Sequence, residues 1–74
     1  MPINDDTIRL AFAWPVEYDH GLFSVIDSNG FVVDIKVWHR LEKTHGSDKT
    51  IAITHYLGET IAAMLNERYA PKGG

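Results

Sequence analysis

The stretch Leu22-Phe23-Ser24-Val25-Ile26-Asp27, Ser28-Asn29-Gly30, Phe31-Val32-Val33-Asp34-Ile35-Lys36-Val37-Trp38 constrains this chain more than any other. Two β-branched, aromatic-rich runs flank a cluster of turn formers, which is the pattern of a β-hairpin. Asp27-Ser28-Asn29-Gly30 suits a type I turn closed by a residue at positive φ, where Gly30 fits without steric cost. In the second run Phe31, Val33, Ile35 and Val37 alternate with more polar neighbours, so that face is expected to point inward. Val32, Asp34, Lys36 and Trp38 fall on the other parity.

Around the hairpin the chain reads as a small α+β domain. Ile8, Leu10, Phe12 and Trp14 share one parity, which predicts a strand over 7–14 ended by Pro15, a residue that cannot donate to a ladder. Val16 to Gly21 reads as a turn or irregular link. A polar connection over 38–49 follows, with room for a brief helical turn from Trp38 to Lys43; connections of this length are commonly functional or mobile. Lys49 to Thr54 reads two ways. Its alternation and β-branching suggest a strand over 50–53 that ends at Thr54 as a helix cap; in the other reading Ile53, Leu57, Ile61 and Met64 continue a helical stripe and a single helix starts near Ser47 or Asp48. A helix over 55–69 is expected to bury Leu57, Ile61, Met64 and Leu65 and to expose Glu59, Asn66 and Glu67. The expected fold is an antiparallel sheet of three to four strands (7–14, 22–27, 31–37 and, where 50–53 is read as a strand, a fourth there) packed by one C-terminal helix. Residues 1–74 make one domain, with 1–6 and 71–74 expected to be flexible.

A domain of this size buries only about 60% of the surface of its unfolded chain, so its stability is marginal. There is no cysteine to supply a disulfide. That leaves a well-packed core, a homodimer or a partner protein to make up the difference. The absence of cysteine fits a reducing cytoplasm, and neither a leader nor a membrane-spanning run is visible. With 7 Lys and Arg against 10 Asp and Glu, the net charge is −3. Scattered bases on an acidic chain disfavour direct nucleic-acid binding, which needs clustered cations to neutralise phosphates. The same charge favours a basic protein surface.

Candidate chemistry is sparse. His20, His39, His45 and His55 lack the spacing of a zinc site, so no metal or other cofactor is expected. Asp19, His20, Ser24 and Ser28 include the residue types of a catalytic triad but no nucleophile elbow, so no catalytic residue is assigned. Gly73-Gly74 has the form of a ubiquitin-like or sulfur-carrier tail, but in those folds the helix lies between strand pairs. Trp14, Tyr18, Trp38 and Tyr56 exceed what so small a core can take. Aromatics on a polar surface mark protein interfaces. With His39 and Arg40 they form the expected partner-binding set: Trp14, Tyr18, Trp38, His39, Arg40 and Tyr56.

Val25-Ile26-Asp27-Ser28-Asn29-Gly30-Phe31-Val32-Val33, followed by Ile61-Ala62-Ala63-Met64-Leu65-Asn66, resembles the small proteins of phage and prophage genomes that carry a Val-x-Asp-x-x-Gly-x-Val-Val hairpin and a terminal helix. The resemblance covers about half of the chain. It implies a cytoplasmic, phage-encoded protein that binds and redirects or inhibits a host protein, such as RNA polymerase or a defence nuclease. Antitoxins of the HicB type are also similar in placing a helix after a small sheet, though their acidic-Pro-aromatic signature is missing here. The expected function is a non-catalytic protein-binding module. The alternatives are an antitoxin-like nucleic-acid-binding regulator and a small His-based metal-dependent enzyme.

Overall fold

The computed structural model describes residues 3–35 and 37–71, with the backbone alone for Trp38 and His39. The expected flexibility of the first two residues and of 72–74, the side chains of Lys36, Trp38 and His39, and the Gly73-Gly74 tail lie outside the described residues. The elements are α1 (Asp5–Ala11), β1 (Glu17–Asp19), β2 (Ser24–Asp27), β3 (Gly30–Asp34) and α2 (Trp38–Tyr69). The strands form one antiparallel sheet in the order β1-β2-β3, and α2 packs across β1 and β2. The fold is therefore α+β, a three-stranded sheet covered by the C-terminal helix.

The expected strand over 7–14 is instead helix α1. Asn4 caps it, its side chain accepting from the Thr7 N–H at 3.0 Å, and Asp5 and Asp6 occupy the first turn, where the helix dipole favours acids. Apolar alternation from Ile8 to Trp14 therefore gives way to a local capping signal. Leu10, on the supposed buried parity, is 88% exposed. The first strand of the sheet lies in the segment expected to be a turn, at Glu17–Asp19.

The expected strand over 50–53 is also helical. Thr50 and Thr54 are buried, and their hydroxyls donate to the carbonyls of Gly46 and Thr50, each at 2.7 Å. Bonding back one turn satisfies both hydroxyls inside the helix, so the β-branched run can stay helical. The expected helix over 55–69 thus extends back to Trp38 and takes in the expected 38–49 loop. One break interrupts it, at Gly46, whose φ of 76° is readily adopted by glycine.

The hairpin forms as expected between β2 and β3, with Asp27 opposite Gly30. The Asp27 side chain accepts the backbone N–H groups of Ala13 and Asn29 at 2.9 and 2.8 Å. Chiefly through Ala13, these bonds hold its carboxyl below the ordinary aspartate range. The inward face expected for β3 is not formed as such. Val25 pairs with Val33 but Ile26 pairs with Phe31, so Val32 is an extra residue in a β-bulge. One inserted residue reverses the parity beyond it. Phe31 is consequently 64% exposed, whereas Val32 packs against the core with Ile35 and Val37.

The core is small: Val16, Val25, Ile35 and Ala62 are buried, with Trp14, Tyr18, Ile61 and Leu65 packed around them. Met64, expected inside, is exposed. Far from the hairpin, Asn66 reaches from α2 to the chain entering β1. Its side-chain carbonyl accepts the Val16 N–H and its amide donates to the Val16 carbonyl, both at 2.8 Å. Replacing Asn66 with Ala leaves two backbone groups of a buried residue without these partners, which costs about 1–3 kcal/mol. Urea denaturation of Asn66→Ala is expected to show a lower midpoint with unchanged slope; an unchanged midpoint would mean that water replaces the clamp.

Candidate functional site

Two side-chain groupings stand out, one on each face of the sheet. Between the sheet and α2 lies a cluster of rings. Tyr18 on β1 faces α2 at Gly58, where its ring lies so close that no Cβ could be accommodated. Its hydroxyl is hydrogen-bonded to His55 Nδ1 at 2.9 Å and donates when that nitrogen carries no proton. The His55 ring stacks on Phe23, 5.4 Å between centroids and 5° from parallel, and meets His20 edge-on at 4.5 Å. His20 Nε2 in turn lies 2.7 Å from Glu59 Oε1. Phe23 adopts a φ of 52°, uncommon for a bulky residue, and stacking on His55 helps to hold it there.

This cluster latches the β1–β2 turn onto the helix. Burial, with smaller contributions from Glu59 and Asp19, raises the Tyr18 phenol above its ordinary range. The folded state favours the neutral phenol, so this contribution is present below the ordinary tyrosine range and is lost as the pH rises through the folded value. The Ser24 hydroxyl lies 2.9 Å from the Leu22 carbonyl and 2.7 Å from Asp34 Oδ1, and its single proton is shared between these two acceptors, neither of them a histidine. Ser28 is exposed in the hairpin turn. Among the described residues, no group of three or more His, Asp or Glu side chains is arranged to hold a metal ion.

The second grouping is on the sheet face turned away from α2. Residues opposed across antiparallel strands share a face. The row Tyr18–Val25 points to α2, so the neighbouring rows point away from it. These are Glu17–Ile26–Phe31 and Asp19–Ser24–Asp34. The bulge at Val32 is what puts Phe31 and Asp34 on one face despite their odd spacing. The result is an exposed phenylalanine beside a half-buried isoleucine, with Glu17 in the same row and Asp19 and Asp34 in the next, on either side of the buried Ser24. Asp19 Oδ1 accepts the N–H groups of Gly21 and Leu22 at 2.8 and 3.0 Å, and Asp34 Oδ1 accepts the Ser24 hydroxyl, so two of the three carboxylates are oriented in advance.

The residues expected to bind a partner are dispersed. Trp14 is half-buried beside the end of α2, its indole N–H donating to the Arg9 carbonyl at 2.9 Å and its ring 5.8 Å from that of Tyr69. Tyr18 lies in the latch. Arg40 is exposed near the start of α2, as is Tyr56 on the outward side of that helix, while the side chains of Trp38 and His39 are not described. Of the four histidines, His20 and His55 come together and His45 stands exposed near the Gly46 break. Sequence reasoning did not single out Glu17, Phe31 or Asp34. The turn signature located β3, but strict alternation sends Phe31 inward, and no residue type announces a bulge at Val32.

Comparisons with protein-family models, with curated proteins and with solved structures give no match. Among the described residues, no helix is long and apolar enough to cross a membrane.

The close seat of Tyr18 on Gly58 has a measurable consequence. Alanine at 58 gains about 1 kcal/mol in helix propensity but drives a methyl group into a rigid ring, at a cost of about 1–3 kcal/mol. Gly58→Ala is expected to lower the thermal midpoint and to perturb the near-ultraviolet signal of Tyr18. A raised midpoint would show that the ring yields freely.

Proposed function

We propose that this chain is a non-catalytic protein-binding module, phage-derived and acting in the host cytoplasm, that uses the free face of its sheet to bind and inhibit or redirect a basic host protein. The observation that carries this reading is the pairing of Glu17, Ile26 and Phe31 beside Asp19, Ser24 and Asp34 on the side of the sheet that α2 leaves open. Phe31 offers an apolar anchor, and the carboxylates surround it with charge. An aromatic residue inside a charged rim is a common anatomy for protein interfaces.

The sign of the charge narrows the partner. Glu17 and Asp19 on this face repel a phosphate backbone and attract Lys- and Arg-rich protein surfaces, which steer association from a distance. Proteins that handle nucleic acids carry such surfaces for their own substrates, so RNA polymerase or a defence nuclease fits as the target class. An acidic module seated there would compete with the nucleic acid. The phage origin and the host target rest on the resemblance of the hairpin and terminal helix.

Capture from a bacterial lysate tests this reading. The intact chain is expected to retain a stoichiometric basic partner, to release it as salt rises and to lose it on Phe31→Ala or Glu17→Lys. Both substitutions are at exposed positions, and circular dichroism should show the fold intact. Failure to retain a partner, or equal retention by both variants, would overturn the assignment of this face.

A further inference from the structure

The outward side of α2 is a second unpartnered surface. Lys49, Ala52, Tyr56, Ala63, Met64 and Glu67 are all exposed and follow one another at steps of three or four residues, apart from the adjacent pair 63–64 and the half-buried Thr60 between. At about 3.6 residues per turn they form a single stripe, with Lys49 and Glu67 in line about five turns apart. The stripe begins after the break at Gly46, so it runs along one uninterrupted segment of helix. Tyr56 and Met64 are 71% and 63% exposed, although the buried apolar core among the described residues is only Val16, Val25, Ile35 and Ala62.

The pattern is self-complementary. A second α2 laid antiparallel on the first, centred near Gly58, puts Lys49 of each copy opposite Glu67 of the other. The same register puts Ala52 opposite Met64 and Tyr56 opposite Thr60, so each large side chain meets a smaller one. A two-fold axis repeats every one of these pairs, as a closed symmetric interface requires.

We infer that two copies of this chain pair back to back through the outward face of α2, antiparallel, with Lys49 and Glu67 bridging at both ends. The helices then form the centre of a four-layer assembly, and the two acidic sheet faces point outward in opposite directions. The dimer is thus compatible with the partner surface proposed above and presents it twice.

Sedimentation equilibrium of the full chain over a concentration series tests the inference. The expected result is a mass of twice 8.3 kDa at high concentration. Tyr56→Glu should shift the chain to monomer while its helical circular dichroism is retained. Lys49→Glu alone, which sets like charges against each other at both ends, should weaken the dimer roughly tenfold. Combining it with Glu67→Lys should restore most of the loss. A monomeric mass throughout would overturn the inference. So would a dimer unaffected by Tyr56→Glu, which would have to use another surface, or a charge swap without rescue, which would reject the antiparallel register.

Discussion

The seat of the Tyr18 ring on the backbone of Gly58 decides how the rest of this structure is arranged. It brings β1 against α2 at Gly58, where no side chain intervenes, and the helix covers the face of the sheet that carries Tyr18. Val25, opposite Tyr18 in the register, is carried to the same side and becomes fully buried. The hydroxyl then reaches His55, whose ring supports Phe23 and meets His20, so the β1–β2 turn is held to the helix by stacked and edge-on rings. Asn66 makes the second attachment, at Val16, more than two turns further along α2. The small core of Val16, Val25, Ile35 and Ala62 is thereby supplemented by directional contacts at both ends of one short strand.

Covering one face leaves the other to be explained. The helix spans β1 and β2, and β3 extends beyond it. The bulge at Val32 turns Phe31 outward and brings Asp34 to the same side, so the free face combines one aromatic with three carboxylates. The bulge has a further use at the sheet edge. It interrupts the regular ladder of an edge strand and makes indiscriminate strand addition less favourable. The recognition proposed for this face would therefore rest on side chains rather than on the open backbone of β3.

Much of the architecture was legible in the sequence where local and global signals agree. Asp27-Ser28-Asn29-Gly30 specifies a hairpin turn, and Leu57, Ile61 and Leu65 specify a helix face. The errors arose where one period was read through residues obeying another rule. Ile8 to Trp14 alternate like a strand, but Asn4, Asp5 and Asp6 start a helix whose outward residues need no burial. Thr50 and Thr54 favour strands by propensity, yet a helix accepts them because each hydroxyl has a carbonyl one turn back. At β3 a single inserted residue reversed the parity and hid the exposed face. The aromatic set was read from residue type alone, which cannot separate Trp14 and Tyr18, held against the helix, from Tyr56, which faces outward.

The sheet face opposite α2 is the proposed recognition surface. Amide chemical-shift mapping on addition of a short Lys- and Arg-rich peptide with one apolar residue tests it most directly. Salt-sensitive shifts are expected at Glu17, Asp19, Ile26, Phe31 and Asp34, with the outward residues of α2 undisturbed. Shifts centred on Ala52, Tyr56 and Met64, or none on the sheet, would contradict it.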